Sequence, residues 1–278
     1  MSRIPPLGLL LLCSTCFAFG PTLHLPFDGD VAGSPGAKPL STSGPFSFAA
    51  GKSGEAISLP AGSFLTFASK GLLDKTHGAV AFWLKPNWDG DDGRNHALLA
   101  DASDFNDKLQ NTLYLWKWST GQLRLDLRSP ADPYLTVDVR HWKAGEWHHV
   151  GASWDAATGL ALFVDGQCVV RREATYEPRS WPTFNIGGDW SGQGTGDAVF
   201  DDLRLYDRPL EAAHMAALMQ GLPLEQLAVT KVTAPKTVRI GTPFSLQIEA
   251  QALQPLTRDY PLLVLVDGVE IARLAAEP

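Results

Sequence analysis

Residues 142–168 constrain the fold most, because they hold three successive strand signals whose alternation and turns can be followed residue by residue. From Glu146 the run alternates, with Val150, Ala152 and Trp154 on one side and Trp147, His149, Gly151 and Ser153 on the other, as a half-buried strand must. A turn is expected over Asp155 to Gly159. Leu160 to Val164 then meets Asp165-Gly166, a pair whose tolerance of positive φ suits the type I′ turn of a tight hairpin, and Gln167 to Arg171 is the returning strand. Upstream, Phe46 to Phe48, Ala56 to Leu59 and Phe64 to Phe67 are short strand signals bounded by Gly or Pro. Gly78 to Lys85 sets Val80, Phe82 and Leu84 against Ala79, Ala81 and Trp83. Many short strands with almost no helical periodicity predict an all-β, antiparallel two-sheet sandwich.

A second hairpin carries the most chemistry. Leu113 to Trp118 and Gln122 to Arg128 flank Ser119-Thr120-Gly121, and a three-residue loop places Trp118 opposite Gln122, Trp116 opposite Arg124 and Tyr114 opposite Asp126. One face is then leucine. The other joins Tyr114, Trp116 and Trp118 to Arg124, Asp126 and Arg128, flat apolar rings beside fixed hydrogen-bonding groups. A two-residue loop would shift the register by one and set the tryptophans among the leucines. A sugar ring offers C–H groups to an aromatic face and hydroxyls to Arg and Asp, so this face is a candidate glycan site. The competing reading is a covered aromatic cluster with an ordinary cross-strand ion pair.

The loop from Pro86 to Asn95 carries three aspartates and Trp88, and reads either as a solvated turn or as an exposed rim that sets Trp88 in reach of ligand. Trp142, Trp181 and Trp190 fall near strand ends, as packing under loops or as an extension of the site. Gly29 to Gly44 reads as a surface loop. Pro182 to Gly188 and Asp197 to Tyr206 complete the sheets, and Pro209 to Gln220 is the one expected helix, with Leu210, His214 and Leu218 on a common packing face.

Three motifs in order, Leu23-His24-Leu25-Pro26-Phe27-Asp28, the run from Gly145 through Trp154-Asp155 to Asp165-Gly166, and Phe200 to Leu210, resemble the laminin-G-like, concanavalin A-like jelly-roll domains over about residues 21–222. The resemblance implies a jelly roll closed by one short helix. It also implies that Asp28 and Asp201 stand where related domains place acidic residues beside a structural calcium, which needs several oxygen ligands. The fold hosts lectins, carbohydrate-binding modules, adhesion domains, glycanases and lyases, so function has to be argued from the site.

Catalysis finds little support in the residues. No Glu-x-Asp-x-Glu pattern occurs, and the adjacent pairs Asp201-Asp202 and Asp91-Asp92 would point to opposite faces of a strand. His148 and His149 alternate in the same way, which argues against zinc. The expectation is a non-catalytic module binding glycan or another extracellular ligand, with an architectural or protein-adhesion domain as the alternative and a catalytic jelly roll with an unrecognised site as the third.

The net charge of −7 over 278 residues and the lack of a basic stripe exclude a general nucleic-acid footprint. Arg3 before the apolar run Leu7 to Phe19, with small residues at Ala18 and Gly20, reads as a secretory signal over residues 1–20, too short for a stable membrane span. A secreted or periplasmic protein of bacterial type is expected. Removal of the signal takes Cys13 and Cys16, leaving Cys168 without an intrachain disulfide partner. From Leu224 a further unit is expected, with strands at Val229 to Val232, Phe244 to Ala250 and Leu262 to Val266 and a turn at Asp267-Gly268, resembling the start of an immunoglobulin-like domain over residues 223–278 of a longer protein.

Overall fold

The computed structural model describes residues 20–101, 113–127, 134–177, 182–189, 194–222 and 224, and four strands between residues 227 and 276. The signal run, Arg128, Trp181, Trp190 and the Asp267-Gly268 turn lie outside the described residues. Contacts separate the unit Gly20–Pro223 from the one containing Leu224–Pro278.

The first unit is a two-sheet antiparallel jelly-roll sandwich. Its strands are β1 (Leu23–Leu25), β2 (Ser41–Ser43), β3 (Ser47–Ala50), β4 (Glu55–Leu59), β5 (Phe64–Ala68), β6 (His77–Pro86), β7 (His96–Asp101), β8 (Leu113–Trp118), β9 (Gln122–Leu127), β10 (Tyr134–Asp138), β11 (His148–Asp155), β12 (Gly159–Val164), β13 (Gln167–Arg172), β14 (Thr183–Ile186) and β15 (Ala198–Tyr206), followed by α1 (Ala212–Met219). One sheet runs β13-β12-β11-β6-β15-β4-β3, with β1 added alongside β15; the other runs β10-β9-β8-β7-β14-β5-β2. In the second unit β16 (Leu227–Thr233) pairs with β17 (Gln247–Ala252), and β18 (Tyr260–Val266) with β19 (Val269–Ala276).

The alternation expected from Glu146 holds along β11, while a register shift at Leu162/Phe163 interrupts it between β12 and β13. Val150, Ala152 and Trp154 enter the core with Val80, Phe82 and Leu84 of the neighbouring β6. Asp165 and Gly166 both adopt positive φ, 49° and 77°, so the β12–β13 hairpin has the twist a type I′ turn supplies. The stretch expected as a loop over residues 29–44 contributes one short strand, β2, which pairs with the edge of β5.

The opposite face of the first sheet lies under α1, where Met215 and Leu218 are buried. Ser153 on β11 donates its hydroxyl to the Leu210 carbonyl at 2.8 Å and accepts the Leu210 N–H at 2.9 Å, fixing the entry to the helix. The helix begins three residues later than its proline suggests. His214 Nδ1 accepts the Glu211 N–H at 3.0 Å, so His214 caps the first turn, and Met215 takes the packing position.

Each end of β7 is closed by a buried lysine paired with an aspartate. At one end Lys75 reaches Asp101 at 2.6 Å, and burial pushes the Asp101 carboxyl up to about 6 against the pull of that lysine. At the other, Lys117, fully buried among the leucines of β8, pairs with Asp92, whose second oxygen bonds His96 Nε2 at 2.8 Å.

Candidate functional site

The three-residue loop sets the register of the candidate face. Gly121 has φ of 81° and donates its N–H to the Trp118 carbonyl at 2.9 Å, and the pairs across β8 and β9 are Tyr114 with Asp126, Trp116 with Arg124 and Trp118 with Gln122. Leu113 and Leu115 face Leu127 and Leu125 on the core side. On the other side the rings of Tyr114 and Trp116 stack at 4.9 Å with 8° between planes, and Trp118 follows Trp116 at 5.9 Å.

This face is less open than the alternation suggests. Tyr114 is only 4% exposed and Trp116 7%, packed with Ala97 and Ala100 of the adjacent β7. Asp126 is wholly buried, and both its oxygens are committed within the protein. Trp116 donates its indole N–H to Oδ2 at 2.6 Å, and Arg124 Nε donates to Oδ1 and Oδ2 at 2.7 and 2.9 Å. Asp126 therefore positions its neighbours; its oxygens are not presented outward.

The accessible part lies one strand further out. Tyr134, at the start of β10 and opposite Asp126, is 43% exposed, and the Arg124 guanidinium lies 4.2 Å from its ring centre and 5.0 Å from that of Trp118. Sequence reasoning missed Tyr134. Its signal was the alternation in YLTVD, where Leu135 turns inward and Tyr134 and Thr136 turn to the Arg124 side. The ion-paired guanidinium stacked between two rings gives a rigid donor at the edge of an aromatic surface.

Trp88 is not a rim residue. It is 4% exposed, donates its indole N–H to the Gly196 carbonyl at 2.8 Å, and stacks on His96 at 4.6 Å and on Trp142 at 6.4 Å. Trp142 in turn stacks on His148 at 4.0 Å. The polar loop folds back because Asp92 is drawn to Lys117 and His96, and that carries Trp88 into the core. His149 points away from His148, edge-on to Trp83 at 5.2 Å, so the two histidines do not share an ion.

Asp28 and Asp201 meet at one corner. Asp28 Oδ1 accepts the Glu55 N–H at 2.8 Å, and Asp201 Oδ2 accepts the N–H groups of Lys52 and Ser53 at 2.6 and 3.1 Å, so both carboxylates hold the turn between β3 and β4. Burial pushes the Asp201 carboxyl up, the turn's N–H groups pulling the other way. The corner lines a cleft of about 390 Å³ together with Trp83. Asp202 also lines that cleft, contrary to the expected opposition of Asp201 and Asp202. A register shift after Asp201 and a φ of 49° at Asp202 break the alternation, and Asp202 Oδ1 bonds His24 Nε2 at 2.6 Å and Arg204 Nε at 3.0 Å. For calcium, the second oxygens of Asp28 and Asp201 and the carbonyls of the turn are suitable in kind. Among the described residues no three or more His, Cys, Asp or Glu side chains gather as a metal cluster.

Among the described residues no helix is long and apolar enough to cross a membrane, and Cys168 is free and exposed on the edge strand β13. A family model described as the concanavalin A-like lectin/glucanases superfamily matches residues 59–216. The chain belongs to this superfamily. Domain 4 of AbnA, an extracellular arabinanase of family GH43 from Geobacillus stearothermophilus solved with arabinotriose, is similar at 22% identity and a TM-score of 0.58, over 73% of this chain and 99% of that one. The receptor-binding domain of botulinum neurotoxin type G is similar at 11% identity and a TM-score of 0.55, over 77% of this chain and 59% of that one. At these identities the likeness is one of fold. No curated protein sequence matches the chain.

Proposed function

We propose that the jelly-roll unit is a non-catalytic module that binds glycan through the outer edge of the β8–β9–β10 face. The observation that carries this reading is Arg124, held by buried Asp126 and stacked between Trp118 and half-exposed Tyr134. With Nε and one face of the guanidinium spent on Asp126, its remaining N–H groups lie beside flat apolar rings, the combination a sugar ring uses. An arabinanase domain of the same fold solved with arabinotriose supports a glycan as the ligand class. The apolar run at residues 7–19 and the second unit after Leu224 support a secreted accessory domain at the N-terminal end of a larger extracellular protein.

A second reading, an architectural or protein-adhesion domain, draws on the burial of Tyr114 and Trp116 and on the similarity to toxin receptor-binding domains. Asp201 and Asp202 are each engaged by backbone N–H, His24 or Arg204, which speaks against their acting as a catalytic pair. At the corner beside the turn between β3 and β4 we propose a structural calcium held by Asp28 and Asp201. Its support is the buried Asp201 carboxylate, whose charge a cation would balance.

A glycan array probed with the full chain, with calcium and again with chelator, tests both proposals. Binding to any neutral or acidic glycan supports the module, and loss of that binding in chelator supports the metal. An array with no bound glycan under either condition favours the adhesion reading.

A further inference from the structure

Tyr134 stands at a seam between the two sheets. It opens β10, the edge of one sheet, and the Arg172 guanidinium, at the end of the edge strand β13 of the other, lies 6.0 Å from its ring centre, while Arg124 approaches the same ring at 4.2 Å. Alternation along β13 explains how Arg172 comes to be there. Val170 packs against the core, so Arg172, two residues on, turns to the same inner side at the rim, whereas Arg171 turns outward and pairs with Glu211 at the start of α1. One ring thus gathers a guanidinium from each sheet.

The charges around Tyr134 do not balance. Tyr134, Thr136 and Asp138 share one side of β10, opposite Asp126, Arg124 and Gln122 of β9. There Asp126 takes Arg124 and Asp138 takes Arg140, yet the exposed Arg172 makes no ion pair among the described residues. The face of a tyrosine ring answers an exposed guanidinium only weakly. In a chain of net charge −7 the seam therefore presents an uncompensated cation beside the remaining N–H groups of Arg124. A cationic ligand would meet two guanidiniums. A neutral sugar would give Arg172 only a hydroxyl oxygen, in place of the water it already has. A carboxylate or sulfate matches the planar fork, and its charge-assisted hydrogen bonds are about twice as strong.

Resting on the reading of the β8–β9–β10 edge as a glycan site, we propose that its ligand is an acidic saccharide whose carboxylate or sulfate is held by Arg172 and the remaining N–H groups of Arg124. Arg172 then sets the preference for acidic over neutral sugars. Calorimetric titration of the full chain tests this with matched probes, oligogalacturonate against its methyl ester and sulfated galactan oligosaccharides against their desulfated counterparts. At least one acidic probe binds about tenfold more tightly than its neutral partner, and the advantage shrinks as salt is raised. The esterified arm identifies a carboxylate and the desulfated arm a sulfate. Arg172→Gln removes the advantage, while Arg171→Gln, on the outward side, keeps it, both with the Tm of wild type. Equal binding of acidic and neutral partners by wild type, or an advantage that survives Arg172→Gln, would overturn the proposal and leave the glycan site standing. So would an array on which only neutral glycans are bound. An array with no bound glycan of either kind would remove the site and the proposal together.

Discussion

The Trp116 indole N–H donates to Asp126 Oδ2 at 2.6 Å, and Asp126 is wholly buried while it also holds Arg124. One carboxylate therefore orients both a ring and a guanidinium, and the outer face depends on it twice. Asp126→Ala leaves Arg124 and the Trp116 N–H without their partner in a site of low polarity, and should cost about 3–5 kcal/mol of stability. Urea unfolding measures this directly. A loss under about 1 kcal/mol would mean that water replaces the carboxylate and that the pairing is ornamental.

His149 gives the protein an acid-sensitive contact. It is buried beside Trp83, and burial lowers its pKa to about 4, with Asp165 and Asp202 pulling the other way. A histidine lowered on folding leaves stability intact above its unfolded value near 6.5 and removes it as the pH falls through the folded value. Relative to wild type, His149→Gln should gain about 3 kcal/mol on going from pH 7 to pH 4. A constant difference across that range would show that His149 titrates normally.

Calcium, if Asp28 and Asp201 hold it, is a folding ligand. At a hundredfold excess over its dissociation constant it adds about 2.7 kcal/mol and raises Tm by about 5–10 °C. Asp28→Asn, at an exposed position, should abolish that rise while changing the calcium-free Tm little. Identical Tm values with calcium and with chelator in wild type would remove the metal from the account.

Periodicity and turn chemistry made most of the first unit legible before any coordinates. The β11–β12–β13 meander and the register of β8 on β9 follow from alternation, from Asp165-Gly166 and from Gly121, all local signals. Alternation names a face but not what covers it, and so Tyr114, Trp116 and Trp88 looked accessible and are buried. Trp88 was hidden further by its loop, whose polar composition reflects Asp92 reaching inward to Lys117 and His96. Lys117 was itself readable, since it shares the core face with Leu113 and Leu115. Alternation failed at Asp202, where a left-handed residue turns both aspartates to one cleft. Tyr134 needed the pairing of β10 on β9, a contact that short-range pattern does not encode.

The central claim is that the outer edge of the β8–β9–β10 face binds glycan, and the most direct measurement compares wild type with the Trp118→Ala/Tyr134→Ala double variant on a glycan array, with Tm recorded for both. Neither ring is a core residue, so the fold should survive their truncation. The account predicts that wild type retains at least one glycan and that the double variant binds it at least tenfold more weakly at a similar Tm. Equal binding by the two proteins, or no bound glycan for wild type, would contradict it.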